Sequence, residues 1–160
     1  MIDLEKVKDY RVLLVGDAII DEYIYVRTIG KAIKENALSS LRGKTEEFRG
    51  GVWAAALHLT TFCAQVAVMT GPKLMVNSRL VDEIYLRKLF VTHELIDNHV
   101  PQFDFDIKSF DLVIVCDFGH GTLTPELIAK VSKEARYLAV NAQTNATNMG
   151  FNLITKYPRA

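Results

Sequence analysis

Four short apolar runs are the clearest pattern along the chain, and each ends in Gly, Asp or Asn. They are VLLVG (12–16), QVAVMTG (65–71), DLVIVCD (111–117) and YLAVN (137–141). Each run is too short for a helix and lacks polar alternation, which is typical of strands that are buried on both faces. The pattern therefore predicts four strands of a parallel sheet.

Helical patterns lie between these runs. In TPELIAKVSKEAR (124–136), Thr124 is a candidate N-cap, Pro125 suits the first turn, and one face collects Leu127, Ile128, Val131 and Ala135. GGVWAAALHLTTF (50–62) is small and apolar over almost its whole length, which predicts a buried helix. Strands that alternate with helices indicate an α/β fold, a Rossmann-like parallel sheet with crossover helices.

Two segments do not fit this core pattern. Residues 23–49 and 76–90 mix β-branched and aromatic residues with many charges, which favours exposed strands or a flap outside the main sheet. Residues 92–109 are predicted to be a connector with a short helix.

Length and charge bound the function classes. A chain of 160 residues with 49% hydrophobic content is long enough for one compact domain, so we predict a single domain over 1–160. The 19 basic and 19 acidic residues cancel, and no basic run stands out. Nucleic acid and anionic membranes are therefore poor partners, and we expect small molecules or proteins instead.

The two cysteines and the N-terminus add little chemistry. Cys63 and Cys116 lie in apolar surroundings at a spacing that fits neither a disulfide framework nor a metal site, so we predict buried, reduced thiols. The N-terminus lacks a signal-type apolar segment, and no apolar run approaches the ~18 residues of a membrane span. We expect a cytoplasmic protein.

Two aspartates follow the first predicted strand. In open parallel sheets, ligands bind beyond the carboxyl ends of the strands, where Asp17 and Asp21 would lie. Carboxylates there can accept hydrogen bonds from the hydroxyls of a polyol. The alternative is that Asp17 caps a turn while Asp21 is solvated. Gly50 and Gly51 precede the helix predicted within 50–62 and would allow a ligand to approach the backbone closely, although Gly-Gly before a helix is more often a plain turn.

The ordered set of motifs resembles the N-terminal half of the ribokinase-like (PfkB) carbohydrate kinases. Within that family it looks most like the heptose-phosphate kinase branch of ADP-heptose synthesis. The segments that carry the resemblance are VGDAIIDEY, KENAL, FRGGVWAAALHL, AQVAVMTG, SRLVDEIYLRKLF, DLVIVCDFGHGTLT and YLAVNAQTN. Single motifs are weak, whereas their order along nearly the whole chain is fairly specific.

The resemblance implies a three-layer core with a small β lid, built from about 23–49 and 76–90, that often makes the dimer contact. It implies substrate contacts from Asp17, Asp21, Gly50 and Gly51, and a possible cleft position for Asp117, His120 and Asn141. For two of these a plainer interpretation stays open: Asp117 ends a strand before a turn, and His120 is a surface turn residue.

The chain departs from the family pattern at several points. Ala54 stands where the family has the Asn of GGxxN, and His120 stands where the heptose branch has Lys. A strand-helix unit is missing between Val68 and Val76. The late GAGD segment, whose Asp would deprotonate the acceptor hydroxyl, is not found, and neither is GxxxxGK[ST].

Two hypotheses follow from these departures. The first is a shortened or split sugar kinase, with no catalytic residue of its own and inactive alone. It would be completed by a homodimer or a complementing chain, and ATP and Mg are implied only in that completed state. The second is a non-catalytic binding or assembly module derived from the same fold. A dinucleotide enzyme would need G-x-G-x-x-G after the first strand, and a protein kinase would need H-R-D before DFG; neither occurs.

Overall fold

The structure is a computed structural model, and it describes residues 4–94 and 106–160. These residues form two compact units. The first contains 4–19, 49–75 and 106–160, and the second contains 20–48 and 76–94. Most of the connector predicted at 92–109 lies outside the described residues.

Eight strands and two α-helices make up the described chain. The strands are β1 (Arg11–Gly16), β2 (Ala18–Lys31), β3 (Leu38–Gly51), β4 (Gln65–Met69), β5 (Met75–Asp82), β6 (Lys88–His93), β7 (Leu112–Asp117) and β8 (Leu138–Ala142). The helices are α1 (Val52–Leu59) and α2 (Pro125–Glu134), and short 3-10 turns lie at Leu4–Val7, Ile107–Ser109 and Ile154–Lys156.

The first unit is built on a parallel sheet with the strand order β4-β1-β7-β8. All four strands coincide with the four apolar runs of the sequence, and the central strands β1 and β7 are the most deeply buried. The register pairs Leu14 of β1 with Val68 of β4 and with Ile114 of β7. The predicted α/β fold with a parallel sheet is confirmed.

The two faces of this sheet are covered by different helices. One face carries Leu13, Val15 and Val115, which pack with the apolar side of α2. The opposite face carries Val12 and Leu14, which pack with α1 and with both cysteines. Because successive strand residues point to opposite faces, β1 contributes to both clusters and the unit has three layers. Cys63 and Cys116 are buried and free, as predicted.

Helix α2 forms as the sequence indicates. The Thr124 side chain accepts a hydrogen bond from the backbone N–H of Leu127 at 3.3 Å, and Pro125 occupies the first turn. The buried residues of the helix include the predicted Leu127, Ile128 and Val131. A capped start and an apolar stripe together fix both its position and its rotation against the sheet.

The prediction that α1 is buried is wrong for most of its length. Val52 and Ala56 are buried, whereas Leu57 is 71% exposed. The helix is apolar all round, so sequence periodicity could not tell which side faces the sheet. Only one side of this eight-residue helix packs on the sheet, which leaves Trp53 and Leu59 of the helix half-buried.

The second unit is a sheet with the order β3-β2-β5-β6, in which β5 and β6 run antiparallel. It contains both segments that the sequence separates from the core pattern. Most of its residues are exposed or half-buried, and its few buried side chains include Val26 and Val81. The function of this sheet as a lid stays a prediction. Among the described residues, no helix is long and apolar enough to cross a membrane.

Candidate functional site

Asp17 lies directly after β1 and is 1% exposed. Its carboxylate accepts hydrogen bonds from three backbone N–H groups of the loop that follows β7. Oδ2 accepts from Phe118 at 2.9 Å and from His120 at 3.3 Å, and Oδ1 accepts from Thr122 at 3.2 Å. The buried charge is therefore compensated by the loop that it organises. This geometry matches the turn-capping alternative for Asp17, and contact with a sugar stays a prediction.

The backbone of Asp17 also brings Gly51 to this point. The Asp17 carbonyl oxygen accepts a hydrogen bond from the N–H of Val52 at 2.9 Å, where α1 begins. Gly51 has φ of 61°, and a β-carbon there would lie 2.2 Å from the same carbonyl oxygen. Glycine is needed at position 51 for both reasons. Gly50 precedes it as a buried residue of β3, so the glycine pair does meet the end of β1.

Gly16 permits a second close approach. A β-carbon at Gly16 would lie 2.1 Å from the carbonyl oxygen of Cys116 on the neighbouring strand. That carbonyl accepts the N–H of Asp17 at 3.2 Å. Burial, together with the nearby Asp17 charge, raises the pKa of the Cys116 thiol to about 11. The thiol therefore stays protonated near neutral pH and is a core group rather than a nucleophile.

Asp117 ends β7 and is also 1% exposed. Its Oδ1 accepts the N–H of Gly119 and the side-chain amide of Asn152, both at 3.0 Å. Its Oδ2 accepts the hydroxyl of Tyr157 at 2.6 Å and forms an ion pair with Lys156 Nζ at 2.6 Å. Four donors thus converge on one buried carboxylate.

Tyr157 is held by the same group. Burial raises the pKa of its hydroxyl well above the usual value, and the hydrogen bond to the Asp117 carboxylate raises it further. A tyrosinate at this position would face a carboxylate in a buried setting. The neutral hydroxyl is therefore the form that the folded protein stabilises.

Sequence reasoning missed the residues that surround Asp117. Asn152, Lys156 and Tyr157 come from the segment after β8, which carries no recognised motif. The available signal was compositional, since NAQTNATNMGFN is rich in asparagine, a residue that hydrogen-bonds backbone groups in irregular segments. That composition does not say which backbone groups are bound.

The other two cleft candidates lie apart from this cluster of donors. His120 is half-buried, and its backbone N–H belongs to the set bound by Asp17. Asn141 is an exposed residue of the edge strand β8, paired in register with Cys116. Roles in ligand binding for His120 and Asn141 stay predictions.

Asp21 belongs to the second unit, on β2. Its Oδ1 accepts from Arg79 Nη1 at 2.5 Å and from the side-chain amide of Asn77 at 3.4 Å. The Arg79 guanidinium also stacks over the ring of Tyr23, 5.3 Å from its centroid, and the Asn77 amide oxygen contacts His93 Nδ1 at 2.7 Å. Asp21 is thus a half-buried carboxylate in a polar cluster, not a solvated one.

The described residues also bear on metal binding. Within 4–94 and 106–160, no group of three or more His, Cys, Asp or Glu side chains is placed to hold a metal ion. The carboxylates of Asp17 and Asp117 are directed at amide, hydroxyl and ammonium donors instead.

The fold matches solved structures of sugar-kinase type. A protein from Agrobacterium tumefaciens assigned as a ribokinase aligns with a TM-score of 0.53 and 17% identity, over 93% of this chain and 57% of that one. A protein from Staphylococcus aureus assigned as a phosphofructokinase aligns with a TM-score of 0.50 and 15% identity, over 83% and 53%. The chain has a ribokinase-like fold and spans little more than half the length of these structures. No family model and no curated protein matches the sequence.

The raised pKa of Tyr157 predicts a loss of stability in alkali. A hydroxyl whose pKa is higher in the folded than in the unfolded state stabilises the fold fully below the unfolded value of 10.0, and loses this effect as pH rises above it. We expect Tyr157→Phe to lower the free energy of unfolding by about 1–2 kcal/mol at pH 7 and to flatten its decline above pH 10. Urea unfolding at several pH values measures both effects.

Tyr137→Phe is the matched control for this measurement, because Tyr137 lies in the same unit, shortly after α2, and its side chain is exposed. The control should keep the stability and the alkaline decline of the wild type. If the free energy of unfolding declined equally in alkali in the wild type and in Tyr157→Phe, the decline could not be attributed to the raised pKa of Tyr157.

Proposed function

We propose that this chain is a PfkB-type carbohydrate kinase-like protein that carries the sugar-binding half of the ribokinase-like fold. Two observations support the proposal. The fold aligns with the two sugar-kinase-type structures, and Asp21 lies in a polar cluster suited to hydroxyl recognition. The heptose-phosphate branch, nearest on the ordered sequence motifs, supplies the first substrates to test.

The main support for the proposal is that, among the described residues, the protein contacts only one of the two oxygens of the Asp21 carboxylate. Both of its contacts in the described part of the chain go to Oδ1, from Arg79 and Asn77. Oδ2 is therefore the oxygen that can accept hydrogen bonds from a sugar. A carboxylate held by an arginine has a fixed orientation, which favours short, charge-assisted hydrogen bonds to hydroxyls.

Asp17, Gly50 and Gly51 have a supporting role in the proposal. Asp17 accepts three loop amides and has at most about one acceptor position left. Gly51 allows α1 to begin against the Asp17 carbonyl. We assign these residues to shaping the end of β1, with direct ligand contact as a secondary role.

Asp21→Asn should weaken sugar binding about tenfold or more, because a charged hydrogen bond to a hydroxyl contributes about 1.5–3 kcal/mol. Isothermal titration calorimetry with ribose, fructose 6-phosphate and sedoheptulose 7-phosphate measures the affinity. The matched control is Glu22→Gln. Glu22 is the next residue of β2 and points to the other face, where it accepts the Ser78 hydroxyl at 2.6 Å. Equal losses in both variants, or sugar binding by neither the variants nor the wild type, would contradict the proposal.

We also propose that the chain alone does not transfer phosphate. Phosphoryl transfer depends on positioned groups and charge stabilisation, and the sequence lacks the GAGD segment that would supply the base. An assay of ADP release with ATP, Mg²⁺ and the same sugars should give no turnover above a no-protein blank. Clear turnover that Asp21→Asn abolishes would contradict the proposal that the chain alone does not transfer phosphate.

A homodimer or a complementing chain is the partner that we propose. The two edge strands of the second unit carry exposed large apolar side chains, Leu41 and Phe48 on β3 and Leu89 and Phe90 on β6, and an exposed apolar edge strand can pair with another chain. Light scattering over a range of concentrations should give a mass above the monomer, and Phe90→Glu should lower it. A wild-type monomer at every concentration would contradict the homodimer.

The alternative is a non-catalytic binding or assembly module, favoured because the protein's own donors occupy the Asp117 carboxylate fully and the Asp17 carboxylate largely. The titrations separate the two functions. A module used purely for assembly would associate without binding any of the three sugars, whereas the sugar-binding half would bind at least one.

A further inference from the structure

The segment after β8, residues 143–156, crosses the loop that follows β7, and we call it the strap. Its first contacts are polar. The side-chain amides of Asn145 and Asn148 both donate to the carbonyl oxygen of Phe118, at 2.9 and 3.1 Å. The strap therefore binds a carbonyl oxygen of the same loop whose backbone amides are bound by Asp17.

The later contacts of the strap end on Asp117. Asn152 donates to the Asp117 carbonyl oxygen at 2.9 Å and to its carboxylate at 3.0 Å. Lys156 reaches the same carboxylate at 2.6 Å and the Asn152 amide oxygen at 2.5 Å. Asp117 is buried partly because these side chains cover it.

The large apolar side chains of the strap are about half or more exposed. Met149 is 79% exposed and Phe151 is 81% exposed, and Leu153 and Ile154 are about half exposed. Moving the strap would therefore expose little additional apolar surface. Segments with few buried apolar contacts are the ones that open locally without global unfolding.

Both ends of the strap are firmly attached. Its N-terminal end continues from β8, which pairs with β7 in the sheet. Beyond its C-terminal end, Tyr157 is 7% exposed and packs in the core cluster with α2. Arg159 then donates to the carbonyl oxygens of Ala135 and Arg136. The strap can therefore move as a loop that is tethered at two fixed points.

A small cleft lies beneath the strap. Its volume is about 280 Å³, and its lining is mostly polar but includes the apolar Leu123 and Phe151; the other residues are Asp117, Gly119, Gly121, Asn148, Asn152 and Lys156. Half of these residues belong to the strap and half to the end of β7 and its loop, so the cleft exists in this form when the strap is closed.

We propose that the strap is a releasable cover, and that Asn152 and Lys156 lock it by binding Asp117 in place of an external ligand. In the closed state all four donors occupy the Asp117 carboxylate. In the open state Gly119 and Tyr157 remain bound, while water or a hydroxyl-bearing ligand replaces Asn152 and Lys156. Because the strap itself buries Asp117, opening hydrates the carboxylate and does not leave it buried without partners.

Hydrogen–deuterium exchange of the full chain tests this opening. In the wild type, peptides within 143–156 should exchange faster than peptides within 11–16, which lie in the buried centre of the sheet. Lys156→Met keeps the side-chain stem and removes the charge. We expect it to raise exchange in the strap about tenfold or more, with no change in β1, because a charged contact to the buried Asp117 carboxylate is lost.

Thr155→Ala is the matched control, an exposed neighbour in the same turn, and it should exchange like the wild type. Asn152→Ala provides a second lock variant should Lys156→Met not fold. Equal exchange of the strap and β1 in the wild type would overturn the proposal. So would a rise that is shared by all peptides in the lock variants, or no rise at all, because the strap would then be a fixed part of the core.

Discussion

The buried carboxylate of Asp17 is the constraint on which the end of the first sheet depends. It accepts three amides of the loop after β7, while its own carbonyl oxygen accepts the first N–H of α1. One residue thus ties together β1, β7 and α1. Without a charged acceptor, three amides of a tight, partly buried loop would need other partners, and few are available at the end of a closely packed sheet.

Asp117 gives the loop a second, independent attachment. Asp117 ends β7 and Asp17 follows the neighbouring parallel strand β1, so both carboxylates bind backbone amides of the same short loop. Gly119 and Gly121, with φ of 76° and 96°, let the chain turn tightly between them. A loop fixed in this way is preorganised, which is what a ligand-binding loop on a rigid scaffold requires.

The sequence predicts the first sheet well because its strands are buried on both faces. VLLVG is apolar throughout and DLVIVCD is apolar between its two terminal aspartates, and at that length a buried strand is the element that best accounts for this pattern. Helix α2 is predicted equally well, because its N-cap residue and its apolar stripe indicate the same helix. The prediction for helix α1 fails because an apolar sequence does not reveal how much neighbouring structure covers it.

The site is less predictable, for a physical reason. Asp17 and Asp21 are equivalent in the sequence pattern, yet Asp17 binds amides more than 100 positions away and Asp21 binds side chains more than 55 positions away. The partners of a carboxylate are set by tertiary contacts, and no local pattern encodes them. The same holds for Asn152 and Lys156, whose contact with Asp117 depends on how the strap crosses the loop.

The three aspartates differ in how many of their carboxylate acceptor positions are occupied by the protein. An ionised carboxylate offers about four lone-pair sites. Asp117 uses all of them in the closed state and Asp17 uses three, whereas Asp21 uses one oxygen for two donors. Under the proposed function, a hydroxyl-bearing ligand would therefore bind Asp21 without displacing any protein group. The same kind of ligand would bind Asp117 only after displacing the strap, and at Asp17 it would compete with the loop amides.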